Sequence, residues 1–163
     1  MNFRSARPDD VPDLVSVIND AYRREGGWTT EAHLLDGQRT DATAVLDVLD
    51  TLIVAEDEQL LGCCALSLVD GHGYFGTFAV RRDLQGSGVG AALLAEAERR
   101  AGQAGAAYVE MTVLSARAEL LAFYFRRGYV ATGAREPFPY GDERLGLPRT
   151  DDLEFLVLRK PLT

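Results

Sequence analysis

One short stretch of the chain has the composition of a turn that binds phosphate groups. It reads Gln85-Gly-Ser-Gly-Val-Gly90, and it lies between a β-rich run, Tyr74–Val80, and an alanine-rich helical pattern. The N-terminus of a helix carries free backbone N–H groups and about half a positive charge. Because glycine has no side chain, the glycines at positions 86, 88 and 90 let a ligand approach those amides closely. The stretch therefore predicts binding of a pyrophosphate.

Two common nucleotide-binding patterns do not fit this turn. A dinucleotide-binding fingerprint belongs to a β-α-β unit near the start of its domain, whereas this turn follows three predicted antiparallel strands. A Walker A loop ends in Gly-Lys-Ser/Thr, but the only lysine of the chain is Lys160. On this stretch alone, a glycine-rich turn without a ligand remains the alternative.

A second pattern follows downstream. The run Leu120-Leu-Ala-Phe-Tyr-Phe-Arg-Arg-Gly-Tyr129 places Tyr124 in a predicted helix that ends at Gly128. Taken together, Gln85-x-x-Gly88-x-Gly90 and this tyrosine helix resemble motifs A and B of the GCN5-related N-acetyltransferases (GNAT). The strand Met111-Thr-Val113 takes the place of the family's Leu-x-Val. The order of the elements resembles that of the family along almost the whole chain.

The resemblance implies that the chain uses acetyl-CoA as a co-substrate. No metal ion is expected, because the cysteines have no metal-ligand spacing and the two histidines are far apart in sequence. The resemblance also implies cofactor contacts from the strand and from the turn, at Phe78, Ala79, Val80, Gln85, Gly86, Ser87, Gly88, Val89 and Gly90. The family often has asparagine seven residues before the helix tyrosine, where this chain has Arg117. Arg117 either contacts the cofactor or is an ordinary residue at the N-terminus of the helix.

Acetyl transfer also requires groups that donate hydrogen bonds or protons to the leaving thiolate and to the tetrahedral oxyanion. Tyr124 is the position that the family uses to protonate the leaving thiolate. A phenol with a pKa near 10 keeps its proton at pH 7, so Tyr124 can donate to the thiolate. The alternative is that Tyr124 is an ordinary packed aromatic residue. A backbone N–H between Phe78 and Val80 is the candidate donor to the tetrahedral oxyanion.

The general base that deprotonates the amine is predicted among the acidic residues. Glu110 is the first candidate, because strand alternation places it opposite Met111 and toward a face that a substrate can approach. An exposed strand carboxylate is the alternative interpretation of Glu110. Glu31 and Glu56 are the other candidates.

The acceptor pocket of the family comes from its variable segments, which here are residues 28–39 and 136–149. Four residues of these segments are predicted to bind the acceptor: Trp28, Glu31, Phe138 and Tyr140. For Trp28 the alternative is that it covers the edge of the core, and for the other two aromatic residues it is that they pin a loop by hydrophobic contact.

The elements that must position these residues alternate between strands and helices. The hydrophobic periodicity predicts an α/β fold in the order β-α-α-β-β-β-α-β-α-β-β, with a short helix at 29–35 and a long loop at 134–152. The resemblance implies a GNAT-like fold, with a mixed, mostly antiparallel central sheet and helices on both faces. It also implies that the family's fourth and fifth strands, here 74–80 and 108–114, are splayed apart.

Length and composition set the remaining expectations. The chain of 163 residues, 47% of them hydrophobic, is predicted to form one domain over residues 1–163. A net charge of −8 without a basic block argues against nucleic acid and anionic membranes as partners. No apolar run reaches the length of a membrane span, and the N-terminus lacks the apolar core of a signal peptide, so a cytoplasmic protein is expected.

These observations predict an N-acetyltransferase that moves an acetyl group from acetyl-CoA to a primary amine of a small molecule, by direct attack in a ternary complex. Two alternatives stay open. One is a peptide or protein N-acetyltransferase, and the other is a non-catalytic module that binds acyl-CoA. A homodimer is compatible with the sequence.

Overall fold

The computed structural model describes residues 1–23, 30–142 and 146–162. Its helices are α1 (Val11–Arg23), α2 (Ala42–Asp47), α3 (Val89–Gln103) and α4 (Ala118–Arg126). Its strands are β1 (Asn2–Ser5), β2 (Leu35–Asp36), β3 (Leu52–Glu56), β4 (Leu60–Val69), β5 (His72–Val80), β6 (Tyr108–Leu114), β7 (Val130–Pro137), β8 (Leu147–Pro148) and β9 (Glu154–Pro161).

The main sheet has seven strands in the order β1-β3-β4-β5-β6-β9-β7. Its neighbouring strands are antiparallel except for β5 and β6, so the predicted mixed, mostly antiparallel sheet is confirmed. The parallel pair is joined only where Gly73 faces Val109 and Tyr74 faces Glu110. Beyond these residues the two strands diverge, which confirms the predicted splay and opens a gap in the middle of the sheet.

Helices cover both faces of this sheet, as predicted. On one face, α1 buries an apolar stripe with helical spacing that packs with α2 against β3 and β4: Leu14, Val17, Ile18 and Ala21. On the other face, α3 and α4 pack against β5 and β6 through a second buried cluster that includes Leu93, Ala97 and Tyr124. Among the described residues, no helix is both long enough and apolar enough to cross a bilayer.

Two sequence predictions about local structure were wrong. Within the predicted helix at 29–35, the described residues form one turn, in which the Leu35 N–H donates to the Glu31 carbonyl (2.9 Å). The chain then enters β2, which pairs with β8. Tertiary pairing thus overrides the local helical pattern, and Gly37, with φ of 82°, turns the chain away from β2.

The predicted loop at 134–152 is the second of these errors. Strand β7 continues to Pro137, opposite Glu154 of β9, and crosses a register shift between Ala131 and Arg135. Gly133, with φ of 89°, lies within that irregularity. Glycine and proline therefore mark a bulge and a strand end here and not an unstructured connection.

Candidate active site

The glycine-rich turn ends in an open helix N-terminus. Gly86 and Gly88 have φ angles of 86° and 96°, a region that favours glycine, and a Cβ at either position would meet no atom within 4 Å. The first intrahelical hydrogen bond of α3 runs from the Ala92 N–H to the Gly88 carbonyl (3.0 Å). The amides of residues 89–91 therefore precede the helical ladder and are oriented for an anionic ligand.

A cavity of about 350 Å³ lies over this turn, and we call it the turn cavity. The turn glycines form one wall, β5 contributes Phe78 and Val80, and the end of α4 contributes Arg126 and Arg127. Arg127 is held in place, because it donates to the Phe123 carbonyl (3.0 Å) and its Cζ lies 3.7 Å from that ring's centroid. Amides and guanidinium groups in one open cradle fit a pyrophosphate.

Strand β5 presents backbone groups to the gap in the sheet. The Arg81 N–H donates to the Leu61 carbonyl of the preceding strand (2.9 Å), so strand alternation turns the backbone groups of Val80 toward the gap. The Gln85 side-chain amide reaches the Val80 carbonyl at 3.4 Å. An extended chain of amides can add to the free edge of β5 at this point.

The same strand contains a bulge next to the gap. The register between β4 and β5 shifts opposite Thr77, which has φ of 42°, although it is a β-branched residue that rarely adopts positive φ. The following amide does not join the ladder: the Phe78 N–H donates to the Tyr22 hydroxyl oxygen (2.9 Å). The bulge thus directs one backbone donor to a side chain of α1.

A second cavity of about 450 Å³, the gap cavity, lies on the other side of Phe78. Its walls come from β5, β6, the ends of α1 and α4, the segment 31–39 and the end of β7. It brings together Glu31, Arg117, Tyr124 and Phe138, four residues that the sequence singled out. Because Phe78 lines both cavities, a ligand in the turn cavity and a ligand in the gap cavity can meet there.

Tyr124 is a buried phenol at the wall of the gap cavity. Its side chain packs against Phe75, Phe78, Phe123 and Tyr129, with ring centroids 5.4–6.4 Å away. Burial raises the pKa of Tyr124 well above its usual value near 10. The hydroxyl therefore keeps its proton at neutral pH and can act as a hydrogen-bond donor.

Tyr22 is a second buried phenol at the gap cavity, and sequence reasoning placed it only among the core residues of α1. Burial also raises the pKa of Tyr22. Its ring lies close to two guanidinium groups, with the Cζ atoms of Arg39 and Arg117 at 5.1 and 5.5 Å from the ring centroid. Because its oxygen accepts from Phe78, its own proton is available for donation into the cavity.

Arg117 and Glu31 belong to one buried ion-pair network. Arg117 Nη1 lies 3.1 Å from one carboxylate oxygen of Glu31, and Arg23 Nη1 lies 2.6 Å from the other. Arg117 is also the N-cap residue of α4. Arg117 lines the gap cavity and not the turn cavity, so it does not lie where a residue that binds the pyrophosphate would lie.

Other predicted residues lie outside both cavities. Glu110 faces Arg159 across the β6–β9 pair and is bonded to it (2.7 Å). Glu56 lies on β3, where hydrogen bonding to Arg4 lowers its pKa. Tyr140 packs on Phe138 with ring centroids 5.1 Å apart and accepts the Leu153 N–H, so it supports the cavity wall from behind. Trp28 lies outside the described residues.

The remaining predicted turn residue has a local role. The Ser87 hydroxyl donates to the Leu84 carbonyl, which closes the turn before Gly88. Three of the polar lining residues were not predicted from the sequence: Tyr22, Arg126 and Arg127. Arg39 and Glu136 lie at the ends of the segments predicted to form the acceptor pocket, but neither was assigned a role there. The Arg-Arg pair after the motif B aromatics was the one signal in the sequence that pointed to an anionic ligand at this end of α4.

An open helix N-terminus beside a splayed β5–β6 pair, with a buried phenol at the gap, defines an acyl-CoA-dependent acyltransferase. The model of the acetyltransferase (GNAT) family matches residues 13–129. The chain therefore belongs to the GNAT family, and it is an acetyl-CoA-dependent acetyltransferase. No curated protein sequence matches it significantly.

Solved structures of GNAT proteins share the fold. The ribosomal-protein-alanine N-acetyltransferase from Brucella melitensis has 20% identity and a TM-score of 0.76, over 99% of this chain and 100% of that one. The yncA protein from Salmonella typhimurium, whose structure contains acetyl-CoA, has 17% identity and a TM-score of 0.73, over 100% of this chain and 94% of that one. The N-acetylglutamate synthase from Neisseria gonorrhoeae, complexed with coenzyme A and N-acetyl-glutamate, has 18% identity and a TM-score of 0.70. The match covers 99% of this chain and 35% of that one.

Proposed function

We propose that this chain transfers the acetyl group of acetyl-CoA to the primary amine of a small molecule, by direct attack in a ternary complex. The observation that carries the proposal is the meeting of the two cavities at Phe78. One cavity has the donors that a diphosphate needs, and the other has two protonated phenols and room for an acceptor. Two ligands bound together would place thioester and amine side by side.

The turn cavity holds the co-substrate. The amides of residues 89–91, Arg126 and Arg127 bind its pyrophosphate, and the backbone groups of Val80 pair with its extended amide arm. Bound acetyl-CoA supplies the acetyl group as an activated thioester. The chain's own contribution is to orient that thioester toward the gap cavity.

Tyr124 stabilises the leaving thiolate. A thiol resembling cysteine has a pKa near 8.5, whereas the pKa of Tyr124 is well above 10, so complete proton transfer from the phenol to the thiolate is uphill. A hydrogen bond from the phenol suffices to stabilise the developing charge. Burial of Tyr124 strengthens this interaction because it removes competing water.

The oxyanion is stabilised by the Tyr22 hydroxyl, which the Phe78 N–H holds in place and polarises. Tyr22 accepts from the amide and donates its own proton to the acetyl oxygen. Replacing Tyr22 by phenylalanine removes one donor and leaves the Phe78 amide, so we expect kcat to fall about tenfold, a smaller loss than the removal of an isolated donor. Steady-state kinetics at saturating acetyl-CoA measure this effect, and an unchanged kcat with a raised KM would count against the role.

The proton of the amine leaves toward Glu136. Both oxygens of Glu31 are engaged by Arg23 and Arg117, which suits Glu31 to positioning those groups. Glu136 lines the gap cavity, is exposed to solvent, and has no ion-pair partner in the described ranges 1–23, 30–142 and 146–162. A carboxylate of this kind can accept a proton directly or through water.

A small acceptor is favoured over a peptide by the wall of the gap cavity. Phe138 is buried there, and Tyr140 supports it through hydrogen bonds to the Thr150 carbonyl (3.0 Å) and from the Leu153 N–H (2.9 Å). A peptide would need an open groove along this edge. Because Tyr140 is bonded to Thr150 and Leu153, the wall is fixed there and narrows the path by which a peptide could enter the gap cavity.

Two measurements test the proposal. Calorimetry with coenzyme A should give one binding event per folded chain, and a free-thiol assay with acetyl-CoA should show release of coenzyme A that depends on an added small amine. Binding without turnover for any amine or peptide would indicate a non-catalytic module. Turnover only with peptides would assign the chain to peptide acetylation, and an absence of coenzyme A binding would refute the proposal.

A further inference from the structure

We propose that Arg39 binds a carboxylate of the acceptor, which makes the acceptor a free amino acid and not a simple amine. This inference rests on the proposed function and names the substrate class of the same site. It is carried by the position of Arg39, by the way its backbone is held, and by its lack of a carboxylate partner among the described residues.

The guanidinium of Arg39 lies close to the ring of Tyr22, the phenol to which we assign the acetyl oxygen. The hydroxyl of Tyr22 contacts the Phe78 amide (2.9 Å), and the Arg39 guanidinium lies 5.1 Å from the centroid of the same ring. One phenol ring therefore separates the thioester position from the guanidinium. An amine and a carboxylate that are joined by one or a few carbon atoms fit this separation, whereas the distant carboxylate of a peptide does not.

The backbone of Arg39 is fixed to α1 before any ligand binds. The side-chain oxygen of Asn19 accepts the N–H groups of Arg39 (2.8 Å) and Thr40 (3.0 Å), and its amide donates to the Thr40 carbonyl (3.0 Å). Three hydrogen bonds to one side chain hold the segment beside Tyr22. Because the backbone is already ordered, only the side chain of Arg39 loses conformational freedom when the guanidinium binds an anion.

The charges at the cavity favour an anionic group at Arg39. Two guanidinium groups and two carboxylates line the gap cavity, and Arg117 is paired with Glu31. The second carboxylate, Glu136, is the one to which we assign the proton of the amine. Within the ranges 1–23, 30–142 and 146–162, no carboxylate forms an ion pair with Arg39, and its described contact is the ring of Tyr22. A half-buried guanidinium of this kind presents a planar fork that matches a carboxylate.

The space beyond Arg39 indicates an apolar side chain on the acceptor. A further cavity of about 470 Å³ shares Arg39, Thr77 and Pro139 with the gap cavity. Apolar residues of α1, α2, the following turn and β3 form one part of its wall: Ile18, Val45, Val48 and Leu52. Thr40 and Asp142 form a polar part of the same wall. An amino acid whose carboxylate binds Arg39 can place an apolar side chain there.

Matched acceptors test this inference. Initial rates of thiol release are compared for phenylalanine, phenylalaninamide and phenethylamine, and for leucine, leucinamide and isoamylamine. We expect kcat/KM of the wild-type enzyme for each amino acid to exceed that for its amide by about 30-fold, the loss that follows when a charged hydrogen-bonded contact is removed. The amine of the amide is the less basic one, so ionisation of the amine cannot cause this preference.

Variants of Arg39 assign the preference to the guanidinium. Arg39→Gln should lower kcat/KM for the amino acids by about 30-fold and change that for the simple amines by less than about threefold, while Arg39→Lys should retain part of the preference. Arg99→Gln on the exposed face of α3 is the matched control and should behave like the wild type. Coenzyme A affinity of each variant, measured by calorimetry, verifies that it is folded.

Three results would overturn the inference while the proposed function stands. They are equal rates for amino acid and amide, an equal loss for all acceptors in Arg39→Gln, and faster acetylation of a peptide that begins with the same residue. The absence of thiol release with every acceptor would instead contradict the proposed function itself.

Discussion

Replacement of Tyr124 by phenylalanine should lower kcat by about 100-fold or more, within the range for loss of one preorganised hydrogen-bond donor to a developing charge. The KM for acetyl-CoA should change little. Only the hydroxyl is removed, and the ring continues to pack against Phe75, Phe78 and Phe123. The developing thiolate loses its donor in a site from which water is largely excluded, and so the loss falls on the transition state and not on binding.

The matched control for this variant is Tyr129→Phe. Tyr129 is also a buried phenol and contacts the Tyr124 ring, with centroids 5.8 Å apart, but it lines neither cavity. Its hydroxyl has no hydrogen-bond partner among the described residues, so its removal should leave kcat within about threefold of the wild type. A loss of less than tenfold in Tyr124→Phe, or an equal loss in both variants, would reduce Tyr124 to a packing residue.

The parts of the site that could be predicted from the sequence are local in the chain. The turn at Gln85–Gly90 and the helix of Tyr124 each lie within about ten residues, and their composition reports directly on backbone conformation and helix phase. The structure confirms a helix that starts just after Gly88, and it places Tyr124 at the wall of the gap cavity, where its catalytic role stays a prediction. The order of the main-sheet strands and helices follows from the same local periodicities.

Residues that depend on register could not be predicted in this way. Tyr22 has the helical spacing of a core residue, and its contact with the Phe78 amide exists only because a bulge at Thr77 redirects that amide. Glu110 lies outside the cavities because β5 and β6 are still paired at its position, opposite Tyr74, and Arg159 of β9 lies on its other side. A shift of one residue in either pairing would reverse these outcomes, and local sequence does not determine such shifts.

The acceptor side was the hardest part to predict, for a related reason. The segment around Arg39 has no strong periodicity. It is held beside Tyr22 by hydrogen bonds to Asn19 of α1, which lies 20 residues earlier in the sequence. The resemblance to the family identified this region as one of the variable segments that determine acceptor specificity. It did not indicate whether the side chains that face the acceptor are positively or negatively charged. That information comes from the side chains that the fold brings together.

Replacement of Gly88 by valine should weaken binding of coenzyme A by about 100-fold or more, as expected when two charge-assisted hydrogen bonds are lost. Gly88 has φ of 96°, and the space above it is open, so a side chain there would enter the position of the pyrophosphate. It would also strain the backbone at the point where the amides of residues 89–91 are presented. Calorimetry with coenzyme A measures the affinity.

Backbone strain alone can be separated from loss of the anion site, because the chain contains a matched glycine. Gly105, just after the end of α3, has φ of 87° and equally open surroundings, but it lines neither of the two cavities. Valine at either position should cost about 1–3 kcal/mol of folding free energy, since both glycines adopt positive φ. Only Gly88→Val should lose coenzyme A, because only there does the side chain meet the diphosphate. Equal affinities in the two folded variants would mean that the glycines at 86 and 88 merely shape a turn and that the anion binds elsewhere.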